Sequence, residues 1–334
     1  MAKKLLKISG IILGVLVALI VLALVVFMLI QPVLYKDFYK DAEKEFKTAG
    51  LSDGLVPQGM TYLEEQKIFL QCGYMTDGES ASRIYVMDKD GASHYVELYQ
   101  EDGTPYTGHT GGIAAGESIL WLANDGDGDD NCVWAIPLQQ VLDANTGIIT
   151  LSERFYPESR SACCYVYDDL LWVGEFYDPE KYPTKESHHL TTDSGEVNPA
   201  FICAYAIDET QPGGVMEDTP IKILSVREKL QGFAIREDGR MAISTSYGLA
   251  NSHIYFYESV LDGEADTTVT VNEAEVPVWY VDSDDLYFDL EAPPMTEEVV
   301  LVDDRLYILN ESACNKYIFG NFMRARNVYS YPFE

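Results

Sequence analysis

Polar side chains that could bind a ligand or move a proton recur at the start of five similar segments of this sequence. The opening residues of the five segments are Gln58, His109, Ser161, Gln231 and Glu297. A further polar residue follows the second apolar stretch of four segments, at Asn124, Glu175, Ser246 and Glu311. Imidazoles, and carboxyl groups in apolar surroundings, titrate near neutral pH, so His109, Glu175 and Glu311 are the candidate catalytic residues.

If the five segments surround one axis, these side chains meet at one end of it and form a binding pocket. The predicted ligand-binding residues are Gln58, His109, Ser161, Gln231, Ser246, Glu297, Glu311 and Lys316. The alternative is that the same side chains cap the backbone groups left unpaired where strands end. Both interpretations stay open at the level of sequence.

Residues 125–131 (DGDGDDN) alternate carboxylates with glycines, a pattern that suits a hard cation such as calcium. Asp125, Asp127 and Asp129 are the candidate ligands. The segment departs from a helix–loop–helix calcium loop because Asp130 takes the sixth position, where glycine is usual, and Ile136 the twelfth, where glutamate is usual. An ordinary acidic turn is therefore the alternative to a calcium site. The adjacent pair His188 and His189 is a weaker metal candidate, because neighbouring side chains of an extended segment point apart.

The longest apolar stretch covers residues 11–30 and contains no charge. As a helix it measures about 30 Å, the thickness of a bilayer's hydrocarbon core. The residues after it contain no small-x-small cleavage site, so the sequence favours an uncleaved signal-anchor over a signal peptide. Lys3, Lys4 and Lys7 precede the span. The positive-inside rule then places the N-terminus in the cytoplasm and the rest of the chain outside.

Four regions follow from this pattern. They are a basic cytoplasmic tail at 1–10, a transmembrane helix at 11–30, a linker at 31–52 and an extracytoplasmic domain at 53–334. The chain has 334 residues and a formal charge of −31, which disfavours contact with the phosphates of nucleic acids. The expected partners are the lipid bilayer and an unidentified extracytoplasmic ligand or protein.

The repeated segments predict an all-β fold. Each contains short strands separated by turn residues, and the segments begin at residues 58, 109, 161, 231 and 297. This spacing is typical of four-stranded propeller blades with insertions at 177–198 and 262–275. We expect a five-bladed β-propeller, with fourth strands near 95–98, 148–151, 221–224 and 276–279. The fifth segment has no fourth strand after its third, so the region 45–51 is predicted to supply it and close the ring.

Residues 57–62 (PQGMTY), 68–73 (IFLQCG) and 82–84 (SRI) resemble the first blade of the glutamine cyclotransferase family. The resemblance implies a five-bladed propeller. It does not imply the cyclase activity, because Leu70 occupies the position of the family's acidic residue. The blades also resemble those of calcium-dependent lactonase-like propellers, in which Gln58 would replace a glutamate that binds the metal.

Six cysteines lie outside the apolar span, at 72, 132, 163, 164, 203 and 314, and buried free thiols are expected. Two functions remain open. The first is a ligand-binding or interaction module that takes a cationic, peptide or carbohydrate ligand at the channel mouth. The second is a metal-assisted hydrolase or transferase that uses carboxylates and His109 at the same mouth, with calcium as its candidate cofactor.

Overall fold

The N-terminal region forms one long helix, α1 (Ala2–Leu34), in a computed structural model that describes residues 2–317, 320 and 325–333. Its stretch Lys7–Val26 is long and apolar enough to cross a membrane, and none of that stretch is buried against the rest of the protein. A core helix of a globular domain would be largely buried. The helix therefore stands apart from the domain that follows, as a membrane span would.

The junction between this helix and the domain is packed. A short helix, α2 (Lys36–Asp41), follows directly, and strand β1 (Glu43–Lys47) comes next. Tyr35 and Phe38 are buried beside Phe256, Tyr331 and Phe333 of the domain. The end of the apolar helix is thus attached to the domain by aromatic packing, which leaves little freedom at the joint.

Five blades, each built around antiparallel strands, make up the domain. The first blade contains β2 (Leu55–Leu63), β3 (Ile68–Met75), β4 (Arg83–Asp88) and β5 (Gly91–Tyr99). The second contains β6 (Gly112–Ala115), β7 (Ile119–Asn124), β8 (Cys132–Pro137) and the outer strand β10 (Glu153–Phe155). Helix α3 (Leu138–Leu142) and strand β9 (Ile148–Thr150) lie between β8 and β10 in the chain, and β9 joins the sheet of the first blade. Both blades run from the axis outward in chain order, as propeller blades do.

The third blade contains β11 (Cys163–Tyr167) and β12 (Leu170–Gly174), an insertion with the hairpin β13 (Leu190–Thr191) and β14 (Val197–Asn198), then β15 (Ala200–Ala206) and β16 (Lys222–Val226). The fourth contains β17 (Leu230–Ile235), β18 (Met241–Thr245), β19 (Ser252–Tyr257) and the outer strand β22 (Leu286–Ala292). Strands β20 (Thr267–Val271) and β21 (Ala274–Tyr280) lie between β19 and β22 in the chain and join the sheet of the third blade. The fifth contains β23 (Thr296–Val302), β24 (Arg305–Asn310) and β25 (Asn327–Pro332).

The five inner strands pack in a closed ring around the axis. Their order is β2, β6, β11, β17 and β23, and β23 returns to β2. Glycine permits the close approach: a Cβ atom on Gly59 would lie 2.8 Å from the Cα of Gly112, and one on Gly112 would lie 2.6 Å from the Cα of Cys163. Among the described residues, one apolar cluster fills each of the five spaces between neighbouring blades. The predicted five-bladed β-propeller, preceded by an apolar helix, is confirmed.

The closing strand lies slightly earlier than predicted, at Glu43–Lys47. It pairs antiparallel with β25 as the outermost strand of the fifth blade. Phe46 of this strand is buried, with its ring centroid 4.8 Å from that of Phe69 in the first blade. The N-terminal strand therefore joins the fifth blade by hydrogen bonds and the first blade by apolar packing.

Two predicted fourth strands belong to different blades. Ile148–Thr150 pairs parallel with β5 of the first blade, and Glu153–Phe155 is the outer strand of the second. Ala274–Tyr280 pairs parallel with β16 of the third blade, and Leu286–Ala292 completes the fourth. Both pairings bury apolar side chains between blades. Ile149 is buried between the first and second blades, and Val276 and Val278 are buried between the second and third. Strand pattern alone does not distinguish the blade to which such a strand attaches.

The six cysteines are free and buried, as predicted. Cys163 and Cys164 lie in consecutive positions of an inner strand, so their side chains leave the strand on opposite sides. Burial raises the pKa of both thiols, because an apolar environment disfavours the thiolate. Neither thiol is placed to act as a nucleophile.

Candidate functional site

A cavity of about 830 Å³ opens at one end of the propeller axis. Strands β2, β17 and β23 contribute Gln58, Gln231 and Glu297, while loops at strand ends contribute His109, Ser246 and Glu311. Six of the eight predicted ligand-binding residues therefore line this cavity: Gln58, His109, Gln231, Ser246, Glu297 and Glu311. They come from the first, fourth and fifth blades and from the loop that enters the second blade, and only a closed ring brings them together.

An acidic pair forms the most unusual part of the cavity wall. Glu297 lies on β23 and Glu311 directly follows β24, and the two side chains are only 3% and 8% exposed. A hydrogen bond joins them, with the protonated carboxyl group of Glu297 donating to Glu311. Burial and the neighbouring Glu311 raise the pKa of Glu297 well above its usual range. Two carboxyl groups this close cannot both ionise easily, so Glu297 holds its proton at pH 7.

Glu311 is the member of the pair that titrates near neutral pH. Burial raises its pKa to about 7, although the Gln58 amide and the Lys316 ammonium oppose that rise. The amide nitrogen Nε2 of Gln58 donates to Glu311 Oε2 over 3.0 Å and to the carbonyl of Pro57 over 2.9 Å. These two bonds fix the amide, so Gln58 orients Glu311 across the boundary between the first and fifth blades.

His109 and Lys316 lie close to the acidic pair. The imidazole of His109 packs against the ring of Tyr74, with centroids 5.1 Å apart. His109 is exposed, so water in the cavity reaches the imidazole. Desolvation by the surrounding protein atoms and the Lys316 ammonium lower the pKa of His109 to about 4. A neutral imidazole can accept or donate a hydrogen bond to a ligand.

Lys316 lies next to Tyr317, which forms part of the cavity wall. Its ammonium group donates a hydrogen bond to the hydroxyl of Tyr74 and lies 4.5 Å from the centre of that ring. It also lies 5.3 Å from the ring centre of Tyr317, which lines the cavity. Lys316 is therefore adjacent to the predicted site through its tyrosine neighbours.

The opposite wall is aromatic and was missed by the sequence reasoning. Phe176 packs edge-on against Tyr182, with centroids 5.4 Å apart, and against Tyr247 at 5.8 Å. The ammonium of Lys181 lies 5.4 Å from the centre of the Tyr247 ring. Phe176 and Tyr182 belong to the insertion at 177–198 and the residue before it. The sequence showed the length of this insertion, but it did not indicate that the insertion folds back over the cavity.

The acidic loop does not fit a calcium ion. Arg160 Nε donates to Asp125 Oδ1 over 2.7 Å, and Arg160 Nη1 lies 3.6 Å from Asp127 Oδ1. The Arg160 guanidinium group thus pairs with two of the three candidate ligands. At the third, Asp129, the backbone carbonyl accepts a hydrogen bond from Arg154. In the part of the chain that the structure describes, no group of three or more His, Cys, Asp and Glu side chains is arranged for a metal. Calcium as cofactor stays a prediction that this geometry does not support.

Besides Lys316, two further predicted residues lie outside the cavity wall. Ser161 is fully buried, and its backbone N–H and hydroxyl both donate to Asn131 Oδ1, at 2.8 and 3.1 Å. Glu175 accepts hydrogen bonds from the backbone N–H groups of Arg160 and Phe201. The capping alternative applies to Glu175, which accepts backbone N–H groups beside a strand end. The Ser161 hydroxyl instead bonds to the side chain of Asn131.

Glu175 is also part of a buried network. His188 Nδ1 lies 2.7 Å from Glu175 Oε1, and its Nε2 lies 3.2 Å from Glu158 Oε1. The imidazole is 1% exposed and stacks on Phe201 with centroids 4.2 Å apart. Burial lowers the pKa of His188, but the hydrogen bonds to Glu158 and Glu175 outweigh it and the net shift is upward. This network fastens the insertion that carries the aromatic wall.

Known proteins share the fold of this chain at low identity. No protein-family model and no curated protein matches it. Glutaminyl cyclase from Myxococcus xanthus is 8% identical with a TM-score of 0.44, over 87% of this chain and 94% of that one. The PQQ-bound aldose sugar dehydrogenase from Streptomyces coelicolor is 11% identical with a TM-score of 0.46, over 86% and 96%. BamB from Moraxella catarrhalis is 9% identical with a TM-score of 0.33, over 83% of each chain. These similarities concern the fold, so function must be argued from the cavity.

Proposed function

We propose that this protein is a membrane-anchored, extracytoplasmic propeller that binds a small polar ligand in the cavity at its channel mouth. The observation that carries the proposal is that residues distant in the sequence converge on one cavity. Predicted residues from three blades and a connecting loop, separated by up to 253 positions as Gln58 and Glu311 are, meet in one cavity. Capping of strand ends would give separate local hydrogen bonds and would not require a shared cavity.

The cavity wall suits a ligand that carries hydroxyl or ammonium groups. One side presents carboxyl and amide oxygens from Glu297, Glu311 and Gln58, which accept hydrogen bonds. The other side presents aromatic rings, which pack on sugar rings and attract cations. Sugars, amines and short peptides combine these features. A purely apolar ligand would displace water from the acidic pair without replacing the hydrogen bonds that water makes there, which is unfavourable.

The apolar helix supports the anchoring part of the proposal. Its length and composition suit a bilayer, and three lysines precede its core. In this orientation the propeller lies outside the cytoplasm. The aromatic packing of Tyr35 and Phe38 on the domain would then hold the propeller close to the membrane surface.

Thermal melting of the full chain in phospholipid nanodiscs tests ligand binding. Disaccharides, polyamines and tripeptides are added separately at millimolar concentration. A ligand that binds only the folded state raises its stability, by about 2.7 kcal/mol at a hundredfold excess over Kd. We expect one of the three classes to raise the melting temperature of the wild type and of the control Glu65→Gln, but not of Glu311→Gln. The proposal fails if no class shifts the wild type, or if Glu311→Gln responds equally.

The shared proton of Glu297 and Glu311 favours a second candidate, an acid–base hydrolase or transferase at the same cavity. A protonated carboxyl group next to one that titrates near pH 7 could supply both a general acid and a general base. Mass spectrometry of the bound ligand after prolonged incubation distinguishes the two functions. A binding module returns the ligand unchanged, whereas an enzyme converts it and loses that conversion in Glu311→Gln.

A further inference from the structure

A second cavity, of about 550 Å³, lies where the N-terminal strand closes the ring. It is formed by β1 and the turn after it, the loop at 313–315 and the start of β25. The residues on its wall include three basic side chains, Lys44, Lys47 and Arg326. No acidic residue is among the described residues that line it. This composition is unusual for a chain whose formal charge is −31.

The three basic groups are not neutralised by neighbours. None of them forms a salt bridge within the described ranges 2–317, 320 and 325–333. The acids of β1 are engaged elsewhere, since Glu43 Oε1 lies 3.3 Å from Arg305 and Glu45 accepts a hydrogen bond of 2.6 Å from Ser330. The strand therefore directs its acids toward its own blade and leaves its lysines beside the cavity.

An irregularity in the strand explains why both lysines reach one cavity. In a regular strand, residues three positions apart point to opposite faces. The pairing of β1 with β25 shifts register between Lys44, opposite Tyr329, and Lys47, opposite Asn327. One extra residue in β1 thus restores both side chains to the same side, the effect expected of a β-bulge. Bulges of this kind re-aim side chains at functional positions.

A buried hydroxyl group provides an independent observation. Thr48 lines the cavity and is 5% exposed, and its backbone N–H donates to the carbonyl of Arg326 over 3.1 Å. Its hydroxyl oxygen Oγ1 is buried and has no hydrogen-bond partner in the described part of the chain. A buried hydroxyl without a partner costs about 1–3 kcal/mol. A ligand atom in the cavity that accepts its proton would remove that cost.

We propose that this cavity binds a phosphoryl group. Three cationic side chains suit an anion that carries nearly two negative charges, and the hydroxyl of Thr48 supplies a further donor. The acidity of the rest of the chain opposes binding only weakly, because charges beyond about 8 Å are largely screened at physiological ionic strength. The phosphoryl group belongs either to a dissolved phosphate compound or to a lipid headgroup, since β1 begins shortly after the apolar helix. The site does not depend on the function of the channel mouth.

Calorimetric titration of the full chain with inorganic phosphate tests this site. The protein is held in maltoside micelles, which contain no phosphate, and sodium chloride keeps the ionic strength constant. We expect saturable binding with a Kd of about 1 mM or below. The double variant Lys44→Gln, Lys47→Gln should bind at least about tenfold more weakly, because two charge-assisted contacts are lost. Thr48→Val, which preserves shape, should also bind more weakly. The exposed Lys67→Gln is the matched control and should bind as the wild type does.

The same titration in phosphatidylcholine nanodiscs identifies the source of the phosphoryl group. If phosphate binds in micelles but not in nanodiscs, lipid headgroups occupy the site. If it binds equally in both, the natural ligand is dissolved. The proposal is wrong if the wild type shows no saturable binding in micelles. It is also wrong if the double variant binds as tightly as Lys67→Gln.

Discussion

Replacing Glu311 with glutamine should stabilise the propeller at high pH, although the residue lies in the candidate site. Burial raises the folded-state pKa of Glu311 to about 7, from an ordinary value of 4.5. An acid whose pKa is higher in the folded state favours folding at low pH, and this contribution is lost as the pH rises. The loss begins near pH 4.5 and is complete above about pH 7. Glutamine cannot ionise, so the variant should not show this loss.

The expected magnitude follows from the size of the shift. At 1.36 kcal/mol for each pKa unit, the ionisation of Glu311 lowers the free energy of unfolding by about 3 kcal/mol between pH 4.5 and pH 8. The difference in stability between Glu311→Gln and the wild type should therefore grow by about this amount over that interval. Burial, the first cause of the raised pKa of Glu297, is present in both proteins.

Urea unfolding in micelles, followed by tryptophan fluorescence, measures this difference. All four tryptophans lie in the propeller, so the signal reports its unfolding and not that of the apolar helix. Glu65→Gln, in an exposed turn, is the control and should show no pH-dependent difference from the wild type. A constant difference between Glu311→Gln and the wild type from pH 4.5 to pH 8 would refute the reasoning about the acidic pair.

Three further predictions concern the network, the closure and the orientation. His188→Gln leaves Glu175 buried without its cation and should lower the free energy of unfolding by about 3 kcal/mol below pH 6. The raised pKa of His188 confers stability that is lost as the pH rises through that pKa. The difference in free energy of unfolding between the variant and the wild type, measured with urea, should therefore be smaller at pH 9. Phe46→Ala should cost about 3–5 kcal/mol and accelerate hydrogen exchange in β25, whereas the exposed Lys36→Ala should do neither. A cysteine introduced by Glu64→Cys should react with a membrane-impermeant maleimide on intact cells. The six native thiols are buried, so they should contribute little background. If labelling occurs only after lysis, the proposed orientation is wrong.

The sequence predicted the features that depend on local repetition. Gln58 and Gln231 open segments with the same spacing of apolar residues, and this repetition gave the blade number, the inner strands and the end of the axis where polar groups meet. The closing strand could also be predicted, because a fifth blade with three strands leaves an edge exposed. Its position was displaced by only a few residues, to Glu43–Lys47.

The features that were missed depend on contacts between distant segments. Nothing near the acidic loop at 125–131 in sequence indicated that Arg160 would pair with its carboxylates. The aromatic wall depends on how an insertion folds back, which His188 fixes through Glu158 and Glu175. Strands β9 and β21 pair in parallel with a strand of the preceding blade, and the pattern of residues within a strand does not indicate which blade it will join.

The closing strand also has a consequence for biosynthesis. Glu45 and Ser330, which are joined by a hydrogen bond in the finished ring, are 285 residues apart. At about 5–20 residues per second, the ribosome needs roughly 15–60 s to make the intervening chain. During that time the edge of the strand is unpaired and Phe46 lacks the partners that bury it in the finished ring. The nascent protein must therefore be shielded from premature pairing, and mutations that slow completion of the fifth blade would increase aggregation before they affect the mature protein.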